Sequence, residues 1–208
     1  MGGFGGADPR AAGTSDSTPA DAKQPLRWFE GKSRFWWPWP LLVALDLWSK
    51  HAAFTWMEQR YANESARHLV FGTDLLRFDL VTWENPGTIW GLFGDGTIAL
   101  MVLRCFAVFG LLWFVAATPA QKRLQLSVLS LIFAGAIGNL YDNFTRSDAD
   151  PARSVRDFLF FSGKWPVEWG FPAFNVADSC ITVGAFGLLL MMVQEDRAAQ
   201  KAKKKVSS

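Results

Sequence analysis

LQLSVLSLIFAGAIGNLY, residues 124–141, is an apolar run that ends directly on a carboxylate, Asp142. It has about the 17–20 residues that a helix needs to cross a hydrocarbon core roughly 30 Å thick. Three further blocks, near 41–57, 97–117 and 176–193, are of similar length and character. Mean hydropathy over all 208 residues is only +0.10 because polar ends dilute these blocks. The composition therefore predicts a mainly α, polytopic membrane protein with four transmembrane helices.

Outside the blocks, residues 1–25 are rich in Gly, Ala, Ser, Asp and Pro and have little apolar surface to offset ordering entropy, so they read as a disordered tail. They lack the apolar core of a cleavable signal peptide, which leaves the first span as the targeting signal. Basic residues gather in alternate segments: Arg10, Lys23, Arg27, Lys32 and Arg34 before the first block, Lys122 and Arg123 after the second, and Arg197, Lys201 and Lys203–Lys205 after the fourth. The positive-inside rule places these segments in the cytoplasm and loops 58–96 and 142–175 outside. The expected division is a disordered basic tail at 1–35, a membrane domain at 36–195 and a basic tail at 196–208. Beside an apolar span, that last tail suits anionic lipid rather than nucleic acid.

Within loop 58–96, Phe78–Trp83 shows rough alternation, which predicts a small β-rich outer subdomain. The turn at Asn85-Pro86-Gly87 leads into an aromatic stretch ending at Gly94, read as an interfacial element. Trp36, Trp37 and Trp39 form an aromatic belt before the first span, with Pro38 and Pro40 at its start. Asp46 and Lys50 lie four apart on one face of that span. Charges there cost about 2.5–3.5 kcal/mol each at mid-bilayer, so the two face the protein interior, as an internal ion pair or as substrate contacts. Arg104 in the second span either snorkels or pairs with an acid from a neighbouring helix, and the sequence does not choose between the two.

Cys105 and Cys180 sit in or near spans without a ligand neighbour, and His51 and His68 are isolated, so no metal or cofactor is expected and Cys-His chemistry has no base. The third block carries Asn139 and Asp142, and the fourth opens with Asn175 and Asp178 at the same three-residue offset. Gly135 and Gly138, with Ala134 and Ala136, form a small-residue strip that permits close helix approach. Two carboxyl groups brought close in a partly dehydrated site cannot both ionise cheaply, so they share a proton, and one activates water while the other protonates a carbonyl. The alternatives are a helix cap at Asp178, interfacial anchoring, or an ion pathway through Asp46, Lys50, Asp142 and Asp178 in a small transporter or channel.

Four blocks in order, LDLWSK (45–50), ENPGTIWGLF (84–93), GAIGNLYD (135–142) and FNVADSCITVG (174–184), with VRDF at 155–158, resemble the lipoprotein signal peptidase (signal peptidase II) family. The resemblance implies a four-helix aspartic peptidase of the bacterial inner membrane, with cytoplasmic termini and an active site near the outer leaflet. It implies Asp142 and Asp178 as the catalytic pair, Asn139 and Asn175 in support, and Asp46, Lys50, Asn85, Gly87 and Asp157 as supporting or substrate-binding positions. The implied substrates are prolipoproteins carrying diacylglycerol on the Cys after the cut, met by a monomer at the lipid surface. One departure stands out: the family usually has Arg directly after the first of these aspartates, and this chain has Asn143. The expectation is that Arg146, Arg153 or Arg156 supplies the missing guanidinium; the alternative is an impaired member that only binds lipoproteins.

Overall fold

The computed structural model describes Gly2 and residues 30–61, 67–86, 97–149 and 153–206. The elements run α1 (Ser33–Trp36), α2 (Pro38–Tyr61), β1 (Arg67–Gly72), β2 (Arg77–Asn85), α3 (Thr97–Ala117), α4 (Arg123–Thr145), β3 (Val155–Gly163), β4 (Trp169–Gly170) and α5 (Val176–Val206). The four long helices match the four apolar blocks. Three of them, Ile98–Ala117, Arg123–Thr145 and Val176–Lys205, are long and apolar enough to cross a membrane. α2, at 24 residues, has the length but is interrupted by Asp46 and Lys50, both buried.

α4 is the central helix and packs on α1, α2, α3 and α5. Its buried residues include Leu126, Leu129, Phe133, Ala134 and Leu140, whereas α3 turns Leu103, Phe106, Phe109 and Trp113 outward. In a membrane such outward apolar side chains face lipid, so the bundle interior is left to small and polar groups. Glycines set the α4–α5 spacing: a Cβ added at Gly184 would lie 2.5 Å from Ile132 Cγ1 and 3.1 Å from the Val128 carbonyl oxygen.

The expected tail of 1–35 ends too late. Residues 3–29 lie outside the described set, but Lys32 and Phe35 are buried in the bundle. Lys32 Nζ donates to the carbonyls of Val115 and Ala116 at 2.6 and 2.8 Å, adding a cationic donor at the C-terminus of α3, where carbonyls lack i+4 partners. Phe35 packs on Phe133 with ring centroids 5.3 Å apart. At the other end, α5 continues beyond the apolar block with Lys203, Lys204 and Lys205 in its last turn, where cations complement the helix dipole.

The β-rich part is a four-stranded antiparallel sheet in the order β1-β2-β3-β4. Only β1 and β2 come from loop 58–96. β3 comes from the second loop and pairs with β2 in a register that sets Trp83 opposite Asp157 and Asn85 opposite Val155. Past β4 the chain returns alongside β3, where Leu159 and Phe174 exchange backbone hydrogen bonds of 2.9 and 3.0 Å. That pairing brings Asn175, at the start of α5, beside Asp157 on β3.

Candidate active site

α5 opens on Asn175, which caps it. The Asp178 backbone N–H donates to Asn175 Oδ1 at 2.9 Å, and the Asn175 N–H donates to Asp178 Oδ2 at 3.2 Å, a reciprocal box of the kind that satisfies orphan donors at helix starts. Asn175 is fully buried. Its amide nitrogen reaches Asp157 Oδ1 at 2.7 Å, Asn139 Oδ1 at 3.2 Å and the Arg156 carbonyl at 3.2 Å. One side chain therefore links α5, β3 and α4.

Asn139 continues the network, accepting from Lys50 Nζ at 3.0 Å and donating to Asp178 Oδ1 at 2.7 Å. Lys50 lies 2.8 Å from Asp46 and 3.2 Å from Asp142. Asp46 also accepts the Ala177 backbone N–H at 2.8 Å. Asp142, fully buried, accepts from the Arg156 guanidinium at 2.7 Å and its backbone N–H at 3.1 Å. Asp46, Lys50, Asp142 and Arg156 thus form a neutral set of two carboxylates and two cations. Buried charges persist in such paired, hydrogen-bonded arrangements.

Asp157 has a different setting. Its oxygens accept from Asn175 and from Asn85 Nδ2, the latter at 3.0 Å, and no lysine or arginine is paired with it among the described residues. Burial, and then the charge of Asp178, push its carboxyl up to about 7 against the downward pull of the two amides and of the Lys50 charge. A cleft of about 540 Å³, lined by Thr82, Trp83, Asn85 and Pro172 among others, opens onto Asp157. Asp178 is half-buried, whereas Asp142 has no exposed surface.

Each expected site residue but one is therefore placed in a single network. Gly87 lies outside the described residues. Of the expected pair, Asp142 is held by Lys50 and Arg156, and the charge of Asp178 acts on Asp157. The expected stand-ins for an arginine at 143 also divide. Arg156 serves Asp142, Arg146 pairs with Glu84, and Arg153 donates to the Asn143 carbonyl at 3.3 Å. The guanidinium on the Asn143 side chain belongs to Arg104.

Residues 40–194 match the family described as signal peptidase (SPase) II. The chain belongs to the signal peptidase II family. A lipoprotein signal peptidase of Anaeromyxobacter sp. is 31% identical over 189 residues, covering 77% of this chain and 84% of the relative. One from Halalkalibacterium halodurans is 28% identical, covering 78% and 94%, and one from Deinococcus radiodurans is 30% identical, covering 80% and 84%. A crystallised bacterial membrane enzyme shares the fold with a TM-score of 0.58 at 21% identity, over 76% of this chain and 86% of that one. As a signal peptidase II, the chain is a multi-span membrane enzyme and an aspartic peptidase with lipoprotein signal peptidase activity. The transporter and binding-only alternatives give way to the enzyme.

Proposed function

We propose that Asp157 and Asp178 carry the peptidase reaction and that Asp142 anchors the helices beneath them. The observation that supports this most is the position of Asp157, which lines the cleft, feels the charge of Asp178 and has no salt-bridge partner among the described residues. The pair holds one proton, on Asp157 at rest. Asp178 takes a proton from water as its oxygen attacks the scissile carbonyl carbon, and Asp157 gives its proton to the carbonyl oxygen, leaving a gem-diol. Collapse of the gem-diol breaks the C–N bond as the amine nitrogen gains the proton from Asp178 and a diol hydroxyl returns its proton to Asp157. Asn139 and Asn175 hold Asp178 in the geometry both steps need.

The substrates in this reading are prolipoproteins, as the relatives' name, lipoprotein signal peptidase, suggests, and they already carry diacylglycerol on the Cys after the cut, as the family resemblance implies. The acyl chains stay in lipid and bring the peptide to the membrane surface. The sheet and cleft would face the outer side of a bacterial inner membrane, with α2 as a fourth span, both termini cytoplasmic and the enzyme a monomer; the basic residues before α2, between α3 and α4 and along the end of α5 support that orientation. Membrane lipid is then the standing partner, and neither a cofactor nor nucleic acid enters the scheme.

The test is cleavage of a diacylglyceryl-modified prolipoprotein by purified enzyme and its Asp142→Asn, Asp157→Asn and Asp178→Asn variants. Folded but inactive Asp157→Asn and Asp178→Asn enzymes are expected. An active Asp157→Asn enzyme would return the role to Asp142.

A further inference from the structure

β3 carries Asp157 next to an irregular point in the sheet. Its ladder with β2 runs in step from Arg77 opposite Ser162 to Leu80 opposite Leu159, then shifts register and resumes at Trp83 opposite Asp157. Beyond that shift the pairing is short and ends at Asn85 opposite Val155. An irregularity of this kind interrupts the ladder and bends the strand, so the backbone beside it draws less of its position from the sheet.

Arg156, one residue before Asp157, is tied on two sides. Its guanidinium donates to Asp142 Oδ1 from Nη2 at 2.7 Å and from Nε at 3.2 Å, and its backbone N–H donates to Asp142 Oδ2 at 3.1 Å. Its carbonyl, in the peptide unit that leads into Asp157, accepts from Asn175 Nδ2 at 3.2 Å, and the same nitrogen holds Asp157 Oδ1 at 2.7 Å. Asp142 and Asn175 are fully buried, and the Arg156 side chain is 13% exposed. Neighbours on a strand point to opposite faces. Arg156 accordingly turns away from the cleft that Asp157 lines and is not among the described residues lining it.

We propose that Arg156 is a positioning residue for Asp157: its guanidinium, closed on Asp142, clamps β3 to the end of α4 and so sets where Asp157 stands relative to Asp178. This rests on the reading of Asp157 and Asp178 as the catalytic pair. A planar guanidinium fixes direction as well as distance, which a single ammonium does not. Without it the backbone N–H is the one bond from residue 156 left to Asp142. Arg156 also has a plainer duty as counter-charge to Asp142. The two duties separate, because neutralising Arg156 and Asp142 together leaves Asp46 and Lys50 matched and changes the net charge beneath the site by nothing.

The experiment measures kcat and KM for cleavage of a diacylglyceryl-modified prolipoprotein, together with thermal unfolding, for wild type, Arg156→Lys and Arg156→Met/Asp142→Asn, with Asp157→Asn alongside. Both Arg156 variants keep the charges balanced and should melt near the wild type. Their kcat should fall by about tenfold to a hundredfold, the cost of a displacement of up to about 1 Å, with KM within about twofold of wild type because the lost interaction is not with bound substrate. Wild-type kcat in the folded double variant would make Arg156 a counter-charge only and overturn the proposal, as would a loss carried by KM. Should the double variant not accumulate as folded protein, Arg156→Lys decides: lowered kcat at wild-type stability supports the clamp, and wild-type kcat overturns it. Wild-type cleavage by Asp157→Asn would overturn the catalytic reading and the proposal with it, whereas an inactive Asp157→Asn beside fully active Arg156 variants overturns the proposal alone.

Discussion

Asn175 and Asp178 cap each other, each donating its backbone N–H to the other's side-chain oxygen, at 3.2 and 2.9 Å respectively. The same three-residue spacing that looks like a catalytic motif is thus also a helix start. Asn175 further spends its amide nitrogen on Asp157 and Asn139. The two duties can be separated. Asn175→Ala loses both and should be destabilised by about 1–2 kcal/mol, the usual range for a lost cap, with cleavage falling more than about tenfold, the equivalent of one lost charge-assisted hydrogen bond. Asn175→Ser keeps a capping oxygen but not the amide donors, so it should recover thermal stability in detergent without recovering activity. Parallel recovery of both would show that the cap alone matters.

Asp142 and Asp157 should fail in different ways. Asp142→Asn leaves Lys50 and Arg156 short of a buried counter-charge, a change of a kind that costs about 3–5 kcal/mol. Loss of folded, monodisperse protein is the expected outcome. Asp157→Asn keeps the hydrogen-bonding shape, removes no described ion pair, and should fold as wild type while cleaving nothing. Thermal unfolding and cleavage measured on the same preparations distinguish the two; a well-folded, inactive Asp142→Asn enzyme would contradict the anchoring role.

The Asp157 carboxyl also predicts how stability varies with pH. Its folded pKa of about 7 lies above the ordinary 3.8, so between those values the folded enzyme holds a proton that the unfolded chain has released. Stability from this group is therefore full at low pH and falls as pH rises from about 4 to about 7. The wild-type melting temperature should drop more between pH 5 and pH 8 than that of Asp157→Asn, which cannot titrate. Equal drops in the two proteins would show that the site is wetter than its geometry indicates.

The spans were legible because length and apolarity are local properties, and each block became a helix. Asp46 and Lys50 were legible as a pair through their four-residue spacing, though not the third member, Asp142, which belongs to another helix. An Asp at a helix C-terminus has no local explanation, so Asp142 reads from sequence as one of the catalytic pair, while the partners that occupy it, Lys50 and Arg156, are distant in sequence. The surroundings of Asp157 are hard to read for a related reason. β3 buries Asp157 and Ser162 along with Val155, Phe158 and Phe160, so its strand pattern is not a clean alternation of apolar and polar residues, and only the short VRDF match drew notice. Arg104 required knowing that α3 packs on α4 at the level of Asn143.

The glycines of α4 offer a test that touches no charged group. A Cβ at Gly135 would press on the Ala177 carbonyl oxygen and lie 2.6 Å from Ile181 Cγ1. Ala177 is in the first turn of α5, next to Asp178, and its N–H is held by Asp46. Backbone cannot yield there as a flexible side chain would, so Gly135→Ala must push α5 away from α4 and carry Asp178 away from Asp157. Gly110 on α3 is the control, since a Cβ there meets nothing within 4 Å. Gly135→Ala should cut cleavage by at least about tenfold, because displacements of about 1 Å cost on the order of a hundredfold in positioned reactions, while Gly110→Ala cleaves at the wild-type rate. If Gly135→Ala is as active as Gly110→Ala, the close α4–α5 approach is not what holds the carboxyl pair together.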